Sequence, residues 1–501
     1  MDTFNLVALI LDFMSALFAF FIGVLVLIVI VLFIVDILQS KNAIYRNYPV
    51  VGHFRPFFSG LGEFFRQYFF AMDREEMPFN RAEREWVHKA SNNHDTTIAF
   101  GSSKVLSATG TIIFVNSPFP VLESDVQPSQ LLCIGEDFCE NPFQAKSFFN
   151  ISGMSYGALS KPAILALSNG ARMAGCWYNT GEGGLSPYHL EGGADIVFQI
   201  GTAKYGVRHL DGGLNKEKLK EVASYDKVRM FEIKLSQGAK PGKGGILPAE
   251  KVTSKIAEIR GIPIGEASIS PNRHPEINNT EDLLDMIYEV RKITGKPTGF
   301  KAVLGSDGWL DELFQSIKKR GLEYAPDFIT LDSGDGGTGA APMSLMDNMG
   351  LPIRETLPLL VNSLIQYELR DRIKVITSGK LITSAEVAWA LCVGADFITS
   401  ARGFMFSLGC IQALKCNKNT CPTGITTHNK RLQKGLNPQN KAVKVANYVH
   451  NMQHSVEVIA HSCGVEQPRQ LNRTHARIVQ SDGNSVMMSK LYPYPANIPK
   501  E

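Results

Sequence analysis

From Phe13 to Val35 the chain reads "FMSALFAFFIGVLVLIVIVLFIV", apolar on every face and without a charge. Such a run is long enough to cross a hydrocarbon core of about 30 Å as a helix. A helix at the edge of a globular core keeps a polar face, so this pattern predicts a membrane span, with residues 1–40 as the anchor. Asp2 and Asp12 precede it without any Lys or Arg, while Lys41, Arg46 and Arg55 follow. That asymmetry puts the C-terminal side in the cytoplasm. The acidic flank and the lack of a small-residue cleavage site argue against a removed signal peptide.

Residues 41–147 change texture. "NYPVVGHFRPFFSGLGEFFRQYFF" is rich in aromatic and basic residues. Two placements are open for it, at the membrane interface or packed on the body that follows; Pro49 and Pro56 are expected to break any single amphipathic helix, which favours packing. From Phe148 onward, short apolar runs alternate with helical ones. "FFNISGM", "DIVFQIG", "VRMFEIKLSQ", "PTGFKAVL", "PDFITLDSG", "RIKVITSG" and "DFITSARG" read as strands. Between them, Ser160 with Pro162 opens one helix, "TEDLLDMIYEVRKIT" forms another, and Thr383 with Glu386 has capping-box spacing before a run that Gly394 ends. Repeating strand–helix units imply a parallel sheet. About eight of them within 148–430 fit a closed (β/α)8 barrel, an α/β TIM-type fold. A doubly wound sheet is the alternative, but "SGMSYGALS" is not its dinucleotide turn. Residues 431–501 complete the chain. There Ala442, Val445, Val449, Met452, Val456 and Ile459 recur at helical spacing, with His450, His454 and His461 placed on the surface.

Composition narrows the function. Hydrophobic residues make up 44% and charged residues 20% of 501, which is ordinary for a folded protein. A net charge of +3 gives no footprint for nucleic acid. In a barrel, chemistry sits where the strands end. Those ends read Met154-Ser155-Tyr156-Gly157, Gln237-Gly238-Ala239-Lys240, Lys301, Asp335-Gly336-Gly337-Thr338-Gly339, Ser378-Gly379-Lys380 and Ala401-Arg402-Gly403. The last two supply small residues and positive charge, as a phosphate site requires. A glycine at a strand end also serves simply to turn the chain, but recurrence on successive strands favours a site.

Three of the eight cysteines crowd into "LGCIQALKCNKNTCPTG": Cys410, Cys416 and Cys421, with Pro422 next. Buried thiols, a Cys3His zinc site using His428, and an iron–sulfur cluster all fit that spacing. Spacing alone leaves zinc and iron open.

"YNTGEGG", "KPGKGGILPAEKV", "DGGTGAAP", "RDRIKVITSGK" and the cysteine segment occur in the order found in the FMN and synthase domain of glutamate synthases. With its apolar span and "RNYPVVG", the chain resembles the membrane-anchored branch of FMN-binding glutamate synthase family proteins. The resemblance, which covers residues 150–424, implies a barrel holding FMN and a 3Fe-4S cluster. It assigns Cys410, Cys416 and Cys421 to the iron. Lys240 and Arg260 would meet the carboxylates of 2-oxoglutarate, and Lys301 would stand beside the flavin. Glu182 would lie near the substrate and the ammonia entrance. Met154, Ser155, Tyr156 and Gln237 would line the flavin. Gly336, Gly337, Gly379 and Lys380 would lie near its phosphate, joined by Ser378, Ala401 and Arg402 from the strand-end reading above.

The chain departs from the family pattern in places. Ile246 stands where a glutamine usually contacts 2-oxoglutarate, and Pro275 follows His274 where a second histidine is usual. Asp2 is not a nucleophilic cysteine, and no glutaminase or β-helix domain is expected. Ammonia would therefore come free or from a partner. With no dinucleotide fingerprint, a ferredoxin or a separate reductase is the expected electron donor. The expected activity is reduction of 2-iminoglutarate to L-glutamate by a membrane-bound oxidoreductase acting on CH-NH2 groups. Two rivals are an FMN and iron–sulfur enzyme acting on another amino or imino acid with a membrane quinone, and a non-catalytic tethered barrel.

Overall fold

The computed structural model describes residues 3–39 and 42–495. Asp2 and Lys41, used above to orient the span, lie outside them. The chain divides into two compact units, one ending at Ala82 and the other starting at Glu83.

The first unit opens with a helix over Thr3–Leu38. Its Val7–Leu38 stretch of 32 residues, whose most apolar window has a mean hydropathy of 3.5 and is not buried, is long and apolar enough to cross a membrane. Helices over Ala43–Asn47 and Phe54–Phe65 follow. Pro56 does not break the second helix as expected. It falls in the first turn, where its missing N–H has no partner to lose.

In the second unit eight parallel strands close into a barrel: β1 Phe149–Ile151, β2 Tyr178–Asn179, β3 Ile196–Ile200, β4 Val228–Lys234, β5 Thr298–Val303, β6 Phe328–Asp332, β7 Lys374–Ser378 and β8 Phe397–Ser400. Closure comes from β8 pairing with β1, Ile398 opposite Phe149. The doubly wound alternative is thereby excluded. Seven strands match the sequence reading. The eighth, β2, has only two residues and shows no periodicity of its own.

The barrel interior is layered. At one level Trp177, Val197, Met230, Phe328, Ile376 and Phe397 pack with Ile134, Phe143 and Ala145 from the paired strands Leu132–Ile134 and Phe143–Ala145. Those paired strands come from the extension, so its part beyond residue 83 does pack on the barrel. Nearby lies a cavity of about 10 Å³, room for one water, lined by polar Ser152, Asn179, Glu232, Lys301, Thr330 and Thr399 among others.

The helix Lys161–Ala174 starts on Ser160, whose Oγ accepts from Ala163 N at 3.4 Å, and ends on Gly175 in a left-handed conformation. Helix Pro438–Ser462 packs against it, burying the anticipated Ala442, Val445, Val449, Met452 and Val456. A Cβ at Gly170 would stand 2.5 Å from Val445, so only glycine permits this approach. The C-terminal segment also holds two strands, Ala476–Val479 and Ser485–Met487, in a three-stranded sheet with Ile112–Phe114.

Candidate functional site

The site is built on the polar positions of β4. Along "VRMFEIK" the side chains of Glu232 and Lys234 share one face, since strand side chains alternate. Glu232 accepts from Asn179 (2.8 Å) and Gln199 (2.6 Å) at Oε1 and from Thr330 (2.6 Å) at Oε2, so it faces the barrel axis. Lys234 reaches the strand end, where its Nζ lies 3.1 Å from Glu182 and also donates to Gln237.

Glu182 is placed by glycines. A Cβ at Gly181 would approach Ser155 N to 2.8 Å and one at Gly183 would approach Ser155 Cβ to 2.7 Å, so the Gly181–Gly183 turn fits tightly over Met154 and Ser155. Burial pushes the Glu182 carboxyl up, but Lys234, Lys240 and Arg260 outweigh it and hold it below its ordinary range. Lys240 is buried among like charges. Burial, reinforced by Lys234, brings it down to about 8. Arg260 is also buried, and its Nη1 donates to Ser268 Oγ at 3.0 Å while the guanidinium lies 5.1 Å from the Tyr205 ring. Its buried Nε has no hydrogen-bond partner among the described residues. One carboxylate thus stands among three cations, a balance suited to an anionic ligand. The structure therefore brings together Glu182, Lys240 and Arg260 and adds Lys234 to them.

Lys301, buried on β5, lies 3.2 Å from Asp332 at the end of β6. Burial opposes its charge, but Asp332, Glu232 and Glu182 overcome this and raise its pKa. Asp332 also accepts from Ser378 Oγ at 2.6 Å and Gly238 N at 3.0 Å. Met154, Ser155 and Tyr156 are buried at the end of β1, and Tyr178 OH donates to the Met154 carbonyl at 2.9 Å.

The expected phosphate residues also assemble. Lys380 Nζ lies 3.0 Å from Asp335, whose carbonyl accepts from Arg402 Nη2 at 3.3 Å. A Cβ on Gly337 would come within 2.7 Å of Arg402, and Gly379, at φ +122°, has no room for one beside Ser333. Ala401 caps the short helix Arg402–Ser407. Exposed Gly337 and half-buried Gly379 beside two cations fit a flavin phosphate, with Asp335 the group that Lys380 would exchange.

The three cysteines are free and form one electrostatic neighbourhood. Burial pushes Cys410 up to about 12 and also raises Cys416. Burial also opposes the Cys421 thiolate, but hydrogen bonds from Thr423 and Thr426 prevail and lower its pKa. Among the described residues no three His, Cys, Asp or Glu side chains converge tightly enough for one ion. A polynuclear cluster binds each thiolate to a different iron, so it does not require three side chains to meet at one ion. His428 turns elsewhere: its Nε2 pairs with the Gly157 carbonyl at 2.8 Å, and its ring lies 5.9 Å from that of Tyr156. Lys251 Nζ donates to the Ala158 carbonyl at 2.7 Å and to that of Cys416 at 3.4 Å. The cysteine loop is thus tied to the loop after β1.

Sequence reasoning missed Glu232, Lys234, Asp332 and Lys251. The signal for the first three was charge inside apolar strand runs, since such residues are almost never fully buried unless paired. Lys251 carried none. His274, kept by the sequence, sits behind the site with Nε2 3.0 Å from the Lys234 carbonyl. Ile246 is half-buried and pairs with Ile269 in a short two-stranded ribbon.

Residues 108–466 match the conserved region in glutamate synthase. A glutamate synthase large subunit-like protein from Bacillus subtilis (strain 168), YerD, is 38% identical over 95% of this chain and 98% of its own length. An archaeal-type glutamate synthase [NADPH] from Thermotoga maritima is 34% identical over 63% of this chain and 59% of its own. Among solved structures, mandelate oxidase with benzoyl-formic acid is similar at a TM-score of 0.46 and 13% identity, over 81% of this chain and 98% of that one. A likeness that distant says nothing of ligands.

Proposed function

Because the chain belongs to the glutamate synthase family, we propose that it forms L-glutamate from 2-oxoglutarate and ammonium. The reaction takes up two electrons and two protons and releases water. The observation that carries this reading is the group formed by half-buried Glu182 with buried Lys234, Lys240 and Arg260.

Bound FMN would supply the hydride and a 3Fe-4S cluster single electrons. Met154, Ser155, Tyr156 and Gln237 would line the flavin ring. Gly336, Gly337, Gly379, Lys380 and Arg402 would hold its phosphate. Cys410, Cys416 and Cys421 would hold the iron, with electrons from a ferredoxin or separate reductase. Lys240 and Arg260 bind the two carboxylates of the oxo acid, each through charge-assisted hydrogen bonds. Arg260 Nε, unpaired and buried, is a donor in need of such an acceptor. Glu182, ionised by its cationic neighbours, orients the ammonium or imine nitrogen through its N–H groups. Lys301, kept charged by Asp332, places a cation beside the developing charge of the reduced ring. The chain would sit in a membrane through its N-terminal helix, with the barrel in the cytoplasm.

Ile246 supports a second reading, in which the same machinery acts on another imino or amino acid and a membrane quinone exchanges the electrons. A site that lacks a polar contact discriminates less in favour of the acid that needs it. Iron and FMN quantitation on anaerobically purified protein, followed by a screen of 2-oxo acids with ammonia, tests both readings. Three irons and one flavin per chain with turnover of 2-oxoglutarate support the first. Turnover of a different acid supports the second, and protein without flavin or iron after reconstitution overturns both.

A further inference from the structure

The helix Phe54–Phe65 carries Phe54, Phe57, Phe58, Leu61 and Phe65 at helical spacing on one side, with Arg55 at the flank of that face. Phe54, Phe57 and Phe58 are each more than half exposed, as are Phe69 and Phe70 in the turn that follows. Phe58, Leu61, Gly62, Phe65 and Phe70 line a shallow groove together with Arg66. An aromatic surface of this size is too apolar to face water.

The same unit fixes where this helix begins. Asp36, buried in the last turns of the apolar helix, accepts from Val50 N at 2.8 Å and pairs with His53 Nε2 at 2.9 Å. Tyr45 stacks on His53 with ring centroids 4.1 Å apart. Val50 and His53 are therefore pinned to Asp36, and Phe54 starts beside the end of the apolar helix. If that helix spans a bilayer, its end lies among the headgroups, the level at which aromatic rings and arginines accumulate.

We propose that residues 54–70 are a second, in-plane membrane contact. Their aromatic face would lie in the boundary between lipid headgroups and acyl chains, with Arg55 and Arg66 toward anionic phosphates. This rests on reading Val7–Leu38 as a span. Each arginine near an anionic surface adds to the attraction.

Depth-dependent quenching of full-length protein in vesicles of zwitterionic and anionic phospholipid tests this. Tryptophan is added by Phe58→Trp or Phe57→Trp for the helix and by Phe21→Trp for the span, and emission is taken as the excess over the parent. The expected result is loss of most of the Phe58→Trp and Phe57→Trp excess with lipids brominated near the headgroup. The Phe21→Trp excess would be lost with lipids brominated near the chain ends. Quenching of Phe21→Trp alone would overturn the proposal while keeping the span, as when the face is covered by a second copy or by protein. No quenching at any position would overturn both.

Discussion

Lys251 Nζ donates to the Ala158 carbonyl at 2.7 Å, and the same ammonium reaches the Cys416 carbonyl at 3.4 Å. One buried side chain therefore joins the loop after β1, which would line the flavin, to the loop that would hold the iron. Electron transfer between two groups needs their supports held in register, and this contact does so without touching either group's expected ligand atoms.

Lys251→Met removes both bonds. Hydrogen bonds from a charged donor are worth about 1.5–3 kcal/mol each at most, so a loss of that order is expected in urea unfolding. Lys251→Arg should recover part of it. A Lys251→Met protein as stable as the parent would show that the loops are held by other contacts.

Lys240 gives the site a pH signature. Burial and Lys234 bring it down to about 8, against an ordinary 10.5. Between those values the folded form has shed a proton that the unfolded form keeps, so its contribution to stability rises with pH through that window. Its carboxylate-binding charge falls over the same window. KM for 2-oxoglutarate should stay flat to pH about 8 and then rise by up to about tenfold per unit. Lys240→Arg, which does not titrate there, should flatten the profile.

Asp332 holds Lys301 at 3.2 Å and accepts from Ser378 and Gly238. Removing one partner of a buried pair costs about 3–5 kcal/mol, and Asp332→Asn should lose that much in chemical denaturation at neutral pH. Burial raises the Asp332 carboxyl, but Lys301 and the hydrogen bonds lower it further, below its ordinary 3.8. The parent's advantage is thus present above 3.8 and lost as pH falls through the folded value. The gap between parent and variant should close on strong acidification.

Much of this was legible in the chain. Seven barrel strands showed as apolar runs because a parallel strand is buried on both faces. β2 was hidden because two residues carry no period, and "YNTGEGG" gave itself away only through its glycines. Glu182, Lys240, Arg260, Lys301 and the three cysteines were visible through motif order. Their partners were not. Lys234, Glu232 and Asp332 become part of the site only when strands distant in sequence close into a barrel, which spacing along one strand does not encode. Pro56 misled for a positional reason: the same residue that breaks a helix interior is neutral in its first turn.

Ile246 tests substrate identity by restoration. Ile246→Gln returns a hydrogen-bonding group to the short ribbon beside the site. A net hydrogen bond of about 1 kcal/mol corresponds to roughly fivefold in affinity, so KM for 2-oxoglutarate should fall by about that factor. An unchanged or higher KM would indicate that the pocket is shaped around another acid.

The central claim is that reduced flavin in this barrel delivers its electrons to an imine made from 2-oxoglutarate. Stopped-flow mixing of anaerobically reduced protein with 2-oxoglutarate and ammonia tests it most directly. Flavin reoxidation with one glutamate formed per flavin is the expected result. Flavin that stays reduced under those conditions, yet is oxidised by a quinone, would contradict it.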